Sequence, residues 1–422
     1  MRRPILVMGV AFLVIAGVSS LAAASAPIRI QVNGQYLTNM DVEPVNLNGR
    51  VFVPARFVAE ALGASVEWDQ ESQTVIITSG SHLTSQGPGE IRLGFVGPMT
   101  GDLATFGVET KKGIELAIKQ VNNEGGIFGK KLVLKIEDDR NEPAEAIQAV
   151  RRLSTQEKVA AVIGSVASKC TLAGAPIAQA NRTVMISPTS TNERVTQVGE
   201  YVFRACFIDR YQGSALAQFA RDSLKADTAA CLFDATGDYP KSLAESFKTD
   251  FEKLGGMIVE YQTYNAGDQD FESQLTAIRT KKPDVLLLSD YYDTVGLIAK
   301  QARDLGLNSV FLGGDGWDSA ELVRIAGKSI EGGYFVNHYS PDANTREAIA
   351  YREAFEKEYG STPDALSALS YDATMLIIDA IRRAGRLEGP AIRDALSATR
   401  DFGAVSGSIT IDPVTRNPVK SA

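Results

Sequence analysis

From Ile91 onward the chain alternates short apolar runs with longer amphipathic stretches, and this alternation constrains the fold more than any other feature. Apolar runs at Ile91 to Val96, Lys131 to Glu137 and Val159 to Ile163 read as strands, as do Thr183 to Ile186 and Ala229 to Phe233. The series continues at Met257 to Tyr264, Val285 to Ser289 and Val310 to Leu312. Helical spacing fills the gaps: Phe106 to Asn122, Pro143 to Leu153, Lys241 to Leu254, Phe271 to Thr280 and Thr294 to Leu305. Repeated strand–helix units predict an α/β fold of parallel sheets joined by right-handed crossovers. About 330 residues is too many for one such sheet, so two lobes with a cleft between them are expected.

The stretch Val162 to Thr196 organises the expected site. An apolar strand ends at Gly164, Ser168 opens an Ala-rich helix running to about Ala180, and a second strand runs into Ser187-Pro188-Thr189-Ser190-Thr191. Both strand ends should deliver hydroxyls and backbone N–H groups to one rim, and parallel sheets bind ligands at such carboxyl ends. A helix N-terminus bearing a serine suits a carboxylate, because its unpaired N–H groups and dipole favour an anion. Ser168 is equally well placed for a plain N-cap.

The segments before Ile91 differ in kind. Arg2 and Arg3 precede an apolar run from Ile5 to Val18, and small residues follow. This has the form of a secretory signal peptide over 1–24, with cleavage after Ala24. Residues 28–79 form a separate small α+β segment. Alternating Ile28, Ile30 and Val32 lead into Asn33-Gly34 as a hairpin start. A short helix is expected from Pro54 to Leu62 and stops at Gly63, with strands around the Asp69 to Ser72 turn. Residues 80–89, rich in Gly, Ser and Pro, read as a linker.

A net charge of −8 argues against nucleic acid or a polybasic membrane role. Cys170, Cys206 and Cys231 match no zinc spacing, and His82 and His338 are the two histidines, so no metal or cofactor is expected. Three buried thiols or one disulfide both fit the cysteine count. No G-x-S-x-G elbow, no P-loop and no G-x-G-x-x-G after a strand is present, so a binding protein is expected and not an enzyme. Asp138-Asp139 read as strand-end and loop residues, and His338 as a hinge-region residue and not a ligand.

Two resemblances sharpen this reading. The pattern VNG…NGRVFVPARFVAEALGASVEWDQESQTVIIT resembles the copper amine oxidase N-terminal-like domain. The segment carries no His or Cys for copper, and a structural role or an envelope contact is the expectation. IRLGFVGPMTGDLATFG, VNNEGGIFGKKL, VIGSVASKCT, MISPTSTN, YVFRACFIDRYQG, DYPKSLAESF and FLGGDGWDS, in that order, resemble the periplasmic binding proteins of branched-chain amino acid (Leu/Ile/Val) ABC transport. That resemblance covers 90–422. It implies the type I fold: two Rossmann-like lobes and three hinge crossovers, with an N-lobe of about 90–209 and 338–401. The C-lobe would be about 210–337 and 402–422.

The resemblance also implies a function and a site. The partners would be a free α-amino acid, captured in the cleft, and an inner-membrane ABC permease, with a periplasmic location. Ser168 matches the residue that binds the ligand carboxylate, and Thr191 one that binds through hydroxyl and backbone N–H. Thr189 matches a backbone carbonyl acceptor for the ammonium, and Asp315 the acid opposite that ammonium. Phe106, Tyr239 and Tyr291 match aromatics that cover the ligand. Lys169, Cys170 and Trp317 depart from the usual pattern and are candidates for reshaping the side-chain pocket. The alternative is a sensor of the same fold for another amino acid or a small amide or carboxylate, feeding a receptor or regulator.

Overall fold

Glu90–Gly97 (β1) is buried along almost its whole length in the computed structural model, as expected of a parallel strand with helices on both faces. The structure describes residues 28–32, 35–36, 42–61, 64–70, 73–79 and 89–421. The leader assigned to 1–24, its cleavage site and His82 lie outside the described residues, as does all but the last residue of the linker. The chain divides into two compact units, one within 1–84 and one within 85–422.

Among the described residues of the first unit are three antiparallel strand pairs and one short helix. Gln31–Val32 pairs with Gln35–Tyr36, Val45–Leu47 with Arg50–Phe52, and Ala64–Asp69 with Thr74–Ser79. The helix is Ala55–Ala61, directly after Pro54.

The second unit contains two five-stranded parallel sheets. In the first lobe β1 is followed by α1 (Ala104–Asn123), β2 (Lys131–Asp138), α2 (Pro143–Arg151), β3 (Ala161–Gly164), α3 (Ser168–Ala180), β4 (Val184–Ser187) and β5 (Val202–Arg204). Its strand order is β5-β4-β3-β1-β2. The chain then crosses to α4 (Asp209–Asp222), β6 (Thr228–Asp234), α5 (Asp238–Lys253), β7 (Met257–Tyr264), α6 (Glu272–Lys281), β8 (Val285–Ser289), α7 (Tyr292–Asp304), β9 (Val310–Gly313), α8 (Ala320–Ala326) and β10 (Tyr334–Phe335). The second sheet has the order β7-β6-β8-β9-β10. Both orders reverse direction beside the first strand of the lobe, which opens a crevice at the strand carboxyl ends.

After Phe335 the chain returns through α9 (Arg346–Tyr359), α10 (Ala365–Ala384) and α11 (Gly389–Ser397). α10 lies hard against α1: the Ser370 hydroxyl donates to the Thr110 carbonyl at 2.8 Å, and a Cβ on Gly113 would stand 2.0 Å from the Ser367 carbonyl oxygen. Strands β11 (Phe402–Ala404), β12 (Gly407–Ile411) and β13 (Pro418–Ser421) close the chain as an antiparallel sheet. Sequence reasoning grouped 402–422 with the second lobe. The hydrogen bonds of this sheet run instead to the first, from Val405 and Ser406 to Asp372 in α10 and between Asn417 and Thr196. Lys420 lies 5.3 Å from the Phe207 ring, at the first crossover.

All three cysteines are buried free thiols, which answers the pairing question left open by their count. Burial pushes the Cys206 thiol up to about 12.

Candidate functional site

The first wall of the site comes from the ends of β3 and β4. Gly164 ends β3 with φ +123°, and a Cβ there would stand 2.0 Å from the Val96 carbonyl oxygen, so the turn requires glycine. The hydroxyls expected on the rim divide into two groups. Ser187 and Ser190 bond the Ser165 carbonyl at 2.7 and 3.2 Å, and Thr189 bonds the Val166 carbonyl at 2.9 Å. These three tie the two loops together. Ser168 and Thr191 remain.

Ser168 is the first residue of α3 and is 1 % exposed; the cap position belongs to Ala167, whose methyl makes no cap bond. The plain N-cap alternative therefore does not describe Ser168. Its Oγ accepts a hydrogen bond from the Asn192 N–H at 3.3 Å, which leaves the hydroxyl proton to donate. The loop bearing Thr191 is wrapped around Arg204, a fully buried side chain. Its guanidinium donates to the carbonyls of Ser190 (2.8 Å), Asn192 (2.7 Å) and Glu193 (3.3 Å). Sequence reading passed over Arg204, although it sits inside a quoted motif. Asp209, buried behind Thr191, is pushed up to about 7 by desolvation. The hydroxyls of Thr191 and Ser242 oppose that rise, the nearby Asp315 adds to it, and Arg204 also opposes it.

The second wall is the turn after β9. Its glycines are packed without space for a side chain: a Cβ on Gly313 would meet the Trp317 ring at 2.0 Å, and one on Gly314 the Tyr239 hydroxyl at 2.7 Å. Trp317 is 2 % exposed and donates its indole N–H to the Leu288 carbonyl at 3.0 Å. It packs in the hydrophobic core and is not among the residues lining the cavity, so any influence on the side-chain pocket is indirect. Lys169 and Cys170 are likewise absent from the wall. They follow Ser168 on α3, and Cys170 is buried with its sulfur 3.9 Å from Asn141 Oδ1. Asp138 ends β2 and caps the loop after β1, accepting from the N–H groups of Met99 and Thr100, while Asp139 lies in the loop beyond the strand, buried against Ser165.

The walls meet around a cavity with about 380 Å³ of space between the atoms, part of it open to solvent. All seven residues singled out from the sequence line it. Phe106, Ser168, Thr189 and Thr191 come from the first lobe, and Tyr239, Tyr291 and Asp315 from the second. Asp315, with a side chain 13 % exposed, is held on both oxygens. Gln212 Nε2 donates to Oδ1 at 3.0 Å, and His338 Nε2 stands 3.0 Å from Oδ2. The rings of Tyr239 and Tyr291 lie 5.1 Å apart, and Phe106 meets Tyr291 edge-on at 6.1 Å. Burial holds both tyrosine hydroxyls protonated far above the usual range. Val166, Ala365, Leu366 and Leu369 add an apolar flank.

Asp318, Asn337 and His338 also line the cavity, and sequence reasoning missed them. His338, a hinge-region residue by sequence, occupies the second crossover and the wall at once. Desolvation raises the Asp318 carboxyl, which accepts from the Ala365 N–H at 2.9 Å across the cleft. Other bonds also join the lobes: Tyr292 Oη to the Asp102 carbonyl at 2.7 Å and Asn192 Nδ2 to the Asp238 carbonyl at 2.9 Å. The lobes are therefore closed on each other. Such a chamber offers hydroxyl and helix-terminal donors on one side, a carboxylate on the other and apolar cover between. It suits a small zwitterion bearing an apolar group.

Both units are similar to known proteins. Residues 31–89 match the family model of the copper amine oxidase N-terminal domain. A Leu/Ile/Val-binding protein homolog 3 from Brucella melitensis is 30% identical over 323 residues, 76% of this chain and 87% of that protein. The crystal structure of a leucine binding protein, LivK, from Thermotoga maritima superposes with a TM-score of 0.74 at 39% identity, covering 78% of this chain and 93% of that one. The branched-chain amino acid transporter substrate-binding protein LivJ from Streptococcus pneumoniae, solved in complex with isoleucine, gives 0.74 at 33% identity over 78% and 94%. With residues 90–421 matching the family model of the periplasmic binding protein and two parallel-sheet lobes closed over one cavity, the chain belongs to the periplasmic binding protein family.

Proposed function

We propose that this chain is the extracytoplasmic substrate-binding protein of an ABC importer, capturing a free α-amino acid of the branched-chain type between its lobes and delivering it to the permease. The observation that carries the reading is the pairing across one interlobe cavity of Ser168, whose hydroxyl proton has no acceptor among the described residues, with Asp315. Ser168 and the amides at the start of α3 take the carboxylate, with Thr191 beside them. Asp315 and the Thr189 carbonyl take the ammonium. Phe106, Tyr239 and Tyr291 exclude water from these charge-assisted bonds, each of which contributes about 1.5–3 kcal/mol. The aliphatic side chain packs on Val166, Leu366 and Leu369. The Leu/Ile/Val-binding relatives agree with this class of ligand.

The cycle follows from the hinge. An open form admits the amino acid, closure completes the contacts of the second lobe, and the closed form is what the permease recognises. Export depends on the leader at 1–24, which is removed, and 28–79 serves as an envelope contact or spacer. Calorimetry across the proteinogenic amino acids, with mass spectrometry of ligand released on denaturation, tests the reading. Micromolar or tighter binding of a branched-chain amino acid supports it. A protein that binds none of them, or releases a molecule without an amino group, overturns it.

A further inference from the structure

Asp315 does not stand free in the cavity wall. Gln212, fully buried at the start of α4, grips it twice: Nε2 donates to Oδ1 at 3.0 Å, and Oε1 accepts from the Asp315 N–H at 3.0 Å. On the other oxygen, His338 Nε2 lies at 3.0 Å, with its side chain 1 % exposed. A carboxylate oxygen accepts, so the Nε2 that faces it is the donor of this bond. Nδ1 is buried without a partner among the described residues, so the bond to Asp315 is the side-chain hydrogen bond that orients the imidazole.

Both grips come from the hinge. Gln212 follows the first crossover by one helical turn, and His338 lies on the second. The two segments touch, because the His338 ring stacks on Phe207 of the first crossover at 5.5 Å and 23°. Phe207 in turn stacks on Tyr211 at 4.7 Å. The acid facing the cavity is thus fastened to the part of the fold whose geometry sets lobe closure.

We propose that His338 and Gln212 are positioning residues for the ammonium subsite: they fix the Asp315 carboxylate in the orientation that meets an α-amino group in the closed form. This rests on the amino-acid reading above. Neither residue needs to touch the ligand, since each acts through Asp315. A carboxylate held on both oxygens before the ligand arrives does not have to be ordered by it, so the bond to the ammonium forms at lower entropic cost. Without either grip the carboxylate swings, and discrimination between an amino group and a hydroxyl at the same carbon declines.

The test is a comparison of two ligands in purified, ligand-stripped full-length mature protein. The probes are leucine, or whichever α-amino acid the survey ranks first, and its α-hydroxy analogue, 2-hydroxyisocaproate for leucine. His338→Ala and Gln212→Met should each weaken amino acid binding by roughly fivefold or more and hydroxy-acid binding by less than about twofold. His338→Gln, which restores an N–H donor, should recover much of the loss. In an Asp315→Asn background neither change should matter further, because residues acting through one group are non-additive. Equal losses for both ligands, an undiminished loss in the Asp315→Asn background, or no loss in either variant overturns the proposal. Gln212→Met serves the same test should His338→Ala fail to fold. Wild-type protein that binds no α-amino acid overturns the amino-acid reading itself, and is seen before any variant is made.

Discussion

The Tyr239 hydroxyl accepts a hydrogen bond from the Gly316 N–H at 3.0 Å. This single bond ties the first turn of α5 to the loop that carries Asp315, and it places a cavity aromatic in a supporting role. Tyr239→Phe keeps the ring that packs on Tyr291 but leaves the Gly316 N–H buried and unpaired. An unsatisfied buried amide costs about 1–3 kcal/mol. Affinity for the amino acid should fall about fivefold or more, with little change in the fit of its side chain, so leucine, isoleucine and valine should lose affinity in parallel. Calorimetry with the three ligands checks this; selective loss of one would mean that Tyr239 shapes the side-chain pocket instead.

Asp315 and Ser168 should not be equivalent. Asp315→Ala leaves a desolvated ammonium without its counter-charge, whereas the amides at the start of α3 partly replace the Ser168 hydroxyl. Both should lose about 1.5–3 kcal/mol or more, with Asp315→Ala the worse. Asp315→Asn keeps the contact with Gln212 but removes the charge, and it should also bind weakly. Near-wild-type affinity in Asp315→Asn would falsify the ammonium assignment.

Asp209 makes stability depend on pH. Folded, it holds its proton up to about 7; an unfolded aspartate does so only to about 3.9. Between these values the folded state binds more protons than the unfolded one. The contribution is therefore full below about pH 4 and is lost as pH rises through about 7. Asp290 and Asp364, also pushed up to about 7 by burial, act in the same direction. Asp209→Asn should flatten the decline between pH 4.5 and 7.5 by on the order of 1 kcal/mol. Urea denaturation of both proteins at the two pH values measures it, and parallel slopes would rule out this role for Asp209.

The small N-terminal unit should be dispensable for capture. Every residue lining the cavity falls between Phe106 and Leu369, outside residues 28–79. Protein lacking 28–79 should bind within about tenfold of the full chain, or ~1.4 kcal/mol. A larger loss would assign that unit a part in the pocket or in closure.

Much of the architecture was legible because periodicity is a local property. Val285–Ser289 and Val310–Gly313 are continuous apolar runs, and a chain that repeats such runs between helices can bury them only in parallel sheets. Motif order then pointed to the seven candidate residues, which meet in one cavity. Other features had no local signature. Arg204 reads as an ordinary charged residue, and only the fold shows three carbonyls converging on its guanidinium. Trp317 neighbours Asp315 in sequence, but the glycines of its turn let the indole fold back onto β9, a placement that sequence spacing does not show.

What the sequence determined by itself was the repeating strand–helix unit, the need for two lobes and the residue types at the strand ends, since each depends on neighbours a few positions apart. What the tertiary structure decided was which groups face each other. His338 lies 23 residues beyond Asp315 and Gln212 lies 103 before it, and Leu366 and Leu369 reach the cavity from a helix that returns to the first lobe. No pattern within one segment encodes those meetings, because they arise only when two sheets and the crossovers joining them close around a common space.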